Sequence, residues 1–163
     1  MSIKETTNEE LDRKLRRVTD ELDLIGLVAT IGPASDSVST EVAVDLWTED
    51  GIYEVPGIGC WTGREQLRGM FGSEQLRTLS ARGAAHVLSV PRIVITGDRA
   101  IGTCYSRLYV RSSTGVDVSR VAANRFEFVR TNLGWRIRKR LVLAVDGSEK
   151  VRELLAQGLT DNC

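Results

Sequence analysis

The sequence predicts an α+β domain in which helices pack against one face of a curved antiparallel sheet. In the first half of the chain, apolar residues recur with the period of about 3.6 that is typical of helices. From His86 onward the period changes to 2, and turn residues divide the chain at intervals typical of β-hairpins. Helices followed by an antiparallel meander are the pattern of an α+β fold.

The length favours a single domain. The chain has 163 residues, and one domain takes roughly 100–200 residues. No repeat, low-complexity run or long Pro/Gly-rich linker divides it. We therefore expect one domain over residues 1–163, with a core over about 7–146 and a C-terminal helix over 148–158.

The first helix is predicted over residues 7–31. Its apolar positions are spaced four and three apart, which places them on one face. They are Leu11, Leu15, Val18, Leu22 and Ile25. Thr7 with Glu10 forms a capping box at the start, and Gly32 and Pro33 are expected to end the helix.

Two shorter helices and a strand follow. Ser37 or Ser39 can cap a second helix that carries Val42 and Leu46. A short strand is predicted over 52–55. A third helix begins after Thr62, with Glu65 completing a capping box. Its inward residues are Leu67, Met70 and Phe71.

The second half predicts four long strands and a last helix. The strands cover 86–96, 99–111, 116–130 and 135–145. Alternation in the third strand predicts that one face carries Val116, Val118, Ala122, Asn124, Phe126 and Phe128. The last helix, over 148–158, ends near Gly158.

Composition excludes several classes of protein. With 22 basic and 22 acidic residues the formal net charge is zero, so we expect no nucleic-acid partner. The one histidine and the absence of a CxxC pair among three cysteines argue against a metal site, and no phosphate-binding loop is present, so no cofactor is expected. Apolar runs are too short for a membrane span, and the polar N-terminus does not look like a secretory signal, so the predicted location is cytoplasmic.

A concave sheet closed by helices is a natural small-molecule pocket, and polar residues on apolar faces are candidates for its site. His86 alternates with Leu88 and Val90, and an imidazole exchanges a proton near neutrality when a carboxylate fixes its tautomer. Asp36 lies in the predicted break between two helices, at a position where its carboxylate could face the mouth of the fold. A core histidine and an aspartate that caps a helix are the alternatives.

Asn124 and several aromatic residues are further candidates for the pocket. The Asn124 carboxamide lies among apolar neighbours and can hydrogen-bond to a bound oxygen. The aromatic residues either line the pocket or belong to the core. They are Trp47, Tyr53, Trp61, Tyr105 and Tyr109. The basic run over 136–140 is interpreted as a solvated or intersubunit face, because Arg136, Arg138 and Arg140 alternate with Ile137 and Leu141.

Several segments, in order, resemble the SnoaL-like branch of the nuclear transport factor 2-like superfamily. They cover roughly residues 10–145. They are the run 45–53 (DLWTEDGIY), 61–65 (WTGRE), His86 with 91–93 (PRI), 97–100 (GDRA), 124–127 (NRFE) and 134–137 (GWRI). Within that superfamily the chain is similar to the scytalone dehydratase and hexachlorocyclohexane dehydrochlorinase group.

The resemblance implies a cone-shaped α+β domain with an Asp-His dyad. Asp36 and His86 match the two dyad positions, and Asn124 matches the pocket asparagine of scytalone dehydratase. The implied activity is a cofactor-independent lyase or isomerase that abstracts a proton from a small apolar ring compound. Tyr53 and Asn124 would bind the substrate oxygen. Ser35 and the single histidine depart from scytalone dehydratase, which has a tyrosine and a second pocket histidine.

Two other functions remain open at this stage. The same cavity can bind a ligand without chemistry, and the domain can be a structural subunit like the small subunit of ring-hydroxylating dioxygenases. Cyclase and epoxide hydrolase activities are further possibilities. The resemblance also implies a homo-oligomer, a dimer or a trimer, built on an exposed outer sheet face.

Overall fold

The computed structural model describes residues 7–160. Its helices are α1 (Asn8–Asp36), α2 (Thr40–Asp45), α3 (Gly63–Phe71), α4 (Glu74–Ala81) and α5 (Glu149–Thr160). Its strands are β1 (Trp47–Val55), β2 (Gly59–Thr62), β3 (Ala84–Leu88), β4 (Arg92–Thr96), β5 (Arg99–Ser112), β6 (Gly115–Thr131) and β7 (Gly134–Ala144). The predicted α+β class is confirmed.

One seven-stranded sheet organises the molecule. Its strand order is β2-β1-β7-β6-β5-β3, with β4 also paired to β5. The long strand β5 therefore holds two short partners on one edge, β3 along its second half and β4 along its first. All pairs are antiparallel except β1 with β7. The meander predicted for the second half is thus present, and β1 joins it by a parallel contact.

The two faces of the sheet have different cores. The inner face packs against α1, α2 and α3 in a cluster that includes Trp47, Phe126, Phe128 and Ile137. The outer face carries α5, which packs on Ala123 through apolar residues of its own. The predicted C-terminal helix is present, and it covers only part of the outer face.

Helix α1 is longer than predicted. Thr7 caps its start by accepting a hydrogen bond from the Glu10 N–H, as expected. The expectation that Gly32 and Pro33 end the helix is wrong, since it continues to Asp36. Pro33 lacks an N–H, so the carbonyl of Ala29 loses its helical donor. Ala29 is exposed, where water can replace that donor.

The buried face of α1 belongs to its second half. It carries Leu24, Val28, Ile31 and Ser35, spaced four and three apart. The predicted apolar stripe of the first half faces solvent, with relative exposures between 54% and 63% for Leu11, Leu15, Val18 and Leu22.

Several other elements differ from the prediction. The strand predicted over 86–96 is divided into β3 and β4 by the segment Ser89, Val90 and Pro91. The division is explained by Pro91, which has no N–H to donate to a neighbouring strand. Strand β2 and helix α4 were not predicted. The Thr62–Glu65 capping box does not form, and Gln66 accepts the Thr62 N–H instead.

A bulge in β6 at Ser119 reverses the alternation of its faces. Val118 pairs with Tyr109 on the outer face, whereas Ala122 lies on the inner face. The prediction that Val116 and Val118 share a face with Ala122 is therefore wrong. Both valines are more than half exposed.

No helix within residues 7–160 combines the length and the apolar character that a membrane span requires.

Candidate functional site

The structure brings Asp36 and His86 together as a hydrogen-bonded pair. Oδ1 of Asp36 lies 2.6 Å from Nδ1 of the His86 imidazole. Oδ2 of the same carboxylate accepts the His86 backbone N–H at 2.7 Å. Both side chains are about one-fifth exposed. The carboxylate thus holds the backbone and the ring of the same residue, which fixes the position of the imidazole.

Backbone geometry explains why this pair forms. His86 lies on β3, an edge strand whose free side faces α1. A Cβ at Gly32 would lie 2.1 Å from the His86 carbonyl oxygen, so only glycine allows the helix to approach this closely. Asp36 follows Gly32 by one helical turn, and it reaches the N–H of the same strand residue. Gly32 is therefore a contact position and not a helix terminator.

The other end of Asp36 is also fixed. Its backbone carbonyl accepts a hydrogen bond from the Ser80 hydroxyl of α4. In the preceding turn, Ser35 donates its hydroxyl to the Ile31 carbonyl at 2.8 Å. The last turn of α1 is thus held by α4 through the Asp36 carbonyl as well as by β3 through the Asp36 carboxylate.

The hydrogen bond at Nδ1 defines the imidazole tautomer. A carboxylate accepts hydrogen bonds, so Nδ1 carries the proton that it receives from the ring. Nε2 then has the free lone pair, and it makes no hydrogen bond to any of residues 7–160. His86 lines a cavity on the inner face. An imidazole held in this way can accept a proton at Nε2 when it is neutral, with the carboxylate as its oriented partner at Nδ1.

The cavity next to His86 has a volume of about 60 Å³. Helices α1, α3 and α4 close one side of it, and strands β1, β3, β5, β6 and β7 form the other. Apolar side chains predominate, and several polar groups project among them. The lining residues are Ile31, Ser35, Tyr53, Met70, Phe71, Leu76, His86, Leu88, Ser106, Arg107, Leu108, Arg120 and Arg140.

Tyr53 is the aromatic candidate that lines this cavity. Its ring stacks on Phe71 at 6.4 Å between centroids and contacts Trp61 at 5.5 Å. Its hydroxyl makes no hydrogen bond to the described residues and remains available to a ligand. Trp61 is half-buried behind Tyr53, outside the cavity lining.

Besides Trp61, three more of the predicted aromatic residues do not line the cavity. Trp47 is fully buried in the core, where its Nε1 has no hydrogen-bond partner. Tyr105 and Tyr109 lie on the outer face, since they alternate along β5 with Leu108, which is in one row with His86 and Arg120 of the inner face. The expectation that Tyr105 and Tyr109 line the pocket is wrong, because strand alternation turns them away from it.

Asn124 is fully buried but does not line the cavity. Its amide nitrogen donates to the Ser106 hydroxyl at 2.9 Å and to the Ala122 carbonyl at 3.3 Å. Its Oδ1 accepts from Nε and Nη2 of Arg140, at 3.1 and 2.8 Å. The expected contact of Asn124 with a substrate oxygen is therefore replaced by a contact with Arg140.

Arg140 is the site residue that sequence reasoning missed. It is 5% exposed, and its guanidinium lies over the Tyr53 and Phe126 rings at 5.0 and 5.2 Å. The interpretation of the basic run as a solvated face is wrong for this residue. A bulge at Arg138 interrupts the alternation of β7, so Arg140 lies on the same face as Ile137.

The other members of the basic run point away from the cavity. Arg138 pairs with Asp50, and Lys139 pairs with Glu54 at 3.1 Å. The signal that would have found Arg140 is the partner strand, because Arg140 lies opposite Phe126, which is apolar and predicted to face inward.

The cysteines do not form a reactive or metal-binding centre in the described part of the chain. Burial raises the pKa of the Cys104 thiol to about 11, which keeps it protonated near neutrality. Cys60 is exposed and unpaired, and Cys163 lies outside the described residues. Within 7–160, no three His, Cys, Asp or Glu residues are grouped to hold a metal ion.

Comparison with known proteins gives one family match. The sequence model of the SnoaL-like domain matches residues 16–141. The comparison with curated proteins finds no match.

Solved structures with the same fold span a range of sequence identity. A nuclear transport factor 2-like protein with a cystatin-like fold from Novosphingobium aromaticivorans is 34% identical, with a TM-score of 0.89 over 93% of this chain and 98% of its own. A function-unknown protein from Mycobacterium tuberculosis is 19% identical, with a TM-score of 0.71 over 91% and 90% of the two chains. A second protein from N. aromaticivorans, described as a putative aromatic ring hydroxylase, is 23% identical, with a TM-score of 0.65 over 78% and 90%.

Proposed function

Because the chain belongs to the SnoaL-like domain family of the nuclear transport factor 2-like superfamily, we propose that it is a cofactor-independent lyase or isomerase. His86 is its general base, and Asp36 orients the imidazole. The substrate is a small ring compound with an acidic C–H next to a carbonyl. The observation that carries this proposal is the double contact of the Asp36 carboxylate with the His86 ring and backbone.

The chemistry follows from the orientation of the imidazole. Nε2 takes the proton of the C–H bond, and the electron pair of that bond moves to the carbonyl oxygen to form an enolate. His86 becomes an imidazolium, which the Asp36 carboxylate stabilises through Nδ1. Return of the proton to another carbon completes an isomerisation, and loss of a leaving group from the neighbouring carbon completes an elimination. The Tyr53 hydroxyl is a candidate hydrogen-bond donor to the enolate oxygen.

The size of the cavity constrains the substrate. A volume of about 60 Å³ is well below the roughly 300–1,000 Å³ of typical ligand pockets. Met70 of α3 and Leu76 of α4 are the half-buried apolar side chains that close it. Helix α4 has no fully buried residue. A ring compound is therefore expected to enter by displacing α4 and the side chains of Met70 and Leu76.

The alternative is a domain that binds a ligand, or a partner, without catalysis. The more exposed outer face favours it, since Val87, Tyr105, Val116, Val118 and Val121 are each at least 38% exposed. That face is also the expected surface of a homo-oligomer, a prediction that light scattering would check. A structural subunit has no need of an oriented imidazole in its cavity, so the dyad favours the enzyme.

The test is deuterium exchange at acidic carbons of small cyclic ketones, followed by NMR in D2O with the enzyme and with His86→Gln. Loss of a general base lowers the rate of proton transfer by about 10²–10⁴-fold. Asp36→Asn is expected to show a similar defect because it allows the wrong tautomer. Asp45→Asn is the control, since Asp45 is exposed and outside the cavity.

Unchanged exchange in His86→Gln would eliminate this mechanism. Saturable ligand binding without any exchange in the wild type would favour the binding protein. Circular dichroism of each variant establishes that a loss of exchange does not come from unfolding.

A further inference from the structure

We infer that the ligand of the cavity is an organic acid, whose carboxylate is held by Arg140 and Arg120 on the strand side of the site. The inference rests on the proposed function for the reaction, and it adds the charge class of the substrate. It comes from two guanidinium groups that face the cavity of His86 without an acidic partner.

Arg140 is a buried cation without a counterion. Among residues 7–160 it forms no ion pair, and its hydrogen-bond acceptor is the neutral Oδ1 of Asn124. Nε and Nη2 are used in this contact, and Nη1 makes no hydrogen bond to the described residues. Taking a guanidinium out of water costs several kcal/mol, and an apposed anion is the usual compensation. A ligand carboxylate supplies that compensation.

Arg120 is the second such cation. It lies on β6 opposite Leu108 of β5, which in turn lies opposite His86 of β3. The three residues thus form one row across the inner face of the sheet. Arg120 is half-buried and lines the cavity. In the part of the chain that the structure describes, it makes no hydrogen bond and no ion pair.

The local balance of charge is positive. None of the described residues that line the cavity is an Asp or Glu, and two of them, Arg120 and Arg140, are arginines of the inner face. Asp36, which lies next to the cavity at His86, is engaged by that residue through both of its carboxylate oxygens. An arginine matches a carboxylate with two parallel hydrogen bonds, which a neutral ligand does not offer. Apolar side chains such as Ile31, Phe71 and Leu88 make up much of the remaining lining and can pack against the ring of such an acid.

The inference also explains the Asn124 contact. Its amide nitrogen is anchored by Ser106, so its oxygen is directed at Arg140. Asn124 therefore orients the guanidinium without neutralising it. An aspartate in that place would satisfy Arg140 within the protein and leave less charge for a ligand. We assign Asn124 as a positioning residue.

Two probes of the same shape test the inference. Benzoate and benzamide differ in charge, and their affinities are compared by calorimetry on the full chain. Each charge-assisted hydrogen bond contributes about 1.5–3 kcal/mol, so benzoate is expected to bind at least about tenfold more tightly than benzamide. Arg140→Met and Arg120→Gln are each expected to reduce this preference severalfold. Arg138→Gln is the matched control, because Arg138 is two positions along β7 and pairs with Asp50 outside the cavity.

Equal affinities of the two probes for the wild type, or no saturable binding of benzoate at millimolar concentration, would overturn the inference. A preference for benzoate over benzamide that remains unchanged in both Arg140→Met and Arg120→Gln would also overturn it. Arg120 is half-exposed, so its variant keeps the test valid even when Arg140→Met does not fold. The wild type separates the two proposals: a preference for benzoate with no proton exchange contradicts the catalysis alone, and exchange without a preference contradicts the acid alone. His86→Gln is expected to lose the exchange and keep the preference.

Discussion

The charged groups on the two sides of the cavity differ in whether they have a partner within the protein. Where α1 packs against β3, a region called the helix side from here on, the Asp36 carboxylate has its partner within the protein. On the strand side, formed by β6 and β7, Arg120 and Arg140 have no acidic partner among the described residues. A pair that is satisfied internally has a fixed geometry, which suits a proton transfer. A cation without an acidic partner in the protein can form an ion pair with a ligand, which suits recognition of an anion.

The two sides therefore contribute differently to stability. The helix side gains from a short hydrogen-bonded pair that also caps an edge strand. The strand side carries a buried cation against a neutral amide, which is a net cost that functional sites commonly retain. Substitutions on the two sides should separate these contributions.

The largest effect is expected from Gly32→Ala on the helix side. The new Cβ would meet the His86 carbonyl oxygen at 2.1 Å, so α1 and β3 have to separate. Overpacking of this kind lowers the free energy of unfolding by about 1–3 kcal/mol, and it should also lengthen the Asp36–His86 contact. Urea denaturation measures the first change, and the Nδ1–H resonance of the single histidine reports the second.

Gly26→Ala provides the control for this variant. It lies in the same helix, and a Cβ there has no atom within 4 Å. It is expected to raise stability by up to about 1 kcal/mol through helix propensity. An equal loss of stability in both variants would contradict the role of close backbone approach.

A smaller effect is expected from Asn124→Asp, which makes the strand side resemble the helix side. The carboxylate would lie about 3 Å from the Arg140 guanidinium, judged from the distances of the present amide oxygen. We expect weaker binding of benzoate and a gain in unfolding free energy of at most about 1 kcal/mol near neutral pH, because the stronger contact with Arg140 is partly offset by loss of the hydrogen bond to the Ala122 carbonyl. Arg140 would hold the pKa of the new carboxyl below its ordinary value, so this gain should be lost as pH falls through that lowered pKa.

Denaturation at neutral and acidic pH checks the stability change. Asn124→Ala is the comparison variant, since it removes the acceptor of Arg140 without adding charge. An unchanged benzoate affinity in Asn124→Asp would mean that Arg140 does not act on the ligand through its charge.

The smallest effect is expected from Asp20→Asn. The carboxylate of Asp20 accepts hydrogen bonds from Nη1 and Nη2 of Arg130 on β6, at 2.8 and 2.6 Å. Arg120 of the same strand has no such partner among the described residues. Hydrogen bonding to Arg130 holds the pKa of Asp20 below its ordinary value, with help from the Trp135 indole N–H. The contribution of this ion pair to the free energy of unfolding is therefore complete above the ordinary aspartate pKa of about 3.9. It is lost as pH falls through the lowered pKa of Asp20.

At neutral pH the loss in Asp20→Asn should be about 1 kcal/mol or less, since Arg130 is about one-third exposed. Thermal unfolding of both proteins at neutral pH and near pH 3 measures it. The difference in stability should shrink at the lower pH. A constant difference would assign the effect of Asp20 to packing and not to charge.

The periodicity of the sequence predicts the class of the fold. The family resemblance predicts the pairing of Asp36 with His86. Neither of them predicts which residues line the cavity. Alternation fails at the bulges at Ser119 and Arg138, because an extra residue reverses every side chain that follows. That is why Arg140 was assigned to the surface. The prediction that Gly32 ends α1 is wrong for a different reason. A glycine that ends a helix and a glycine that allows a strand to pack closely on a helix look the same in the sequence.

The Asp36–His86 contact joins residues that are 50 positions apart in the chain. Neither α1 alone nor the segment from β3 to β5 alone contains both Asp36 and His86. The intervening chain has to be closed into a loop before the dyad exists, and this step carries an entropic cost that only tertiary packing recovers. During synthesis the helix precedes the strand, so a nascent or partly folded chain has no oriented imidazole. Proton exchange by His86 would therefore serve as a reporter of completed folding.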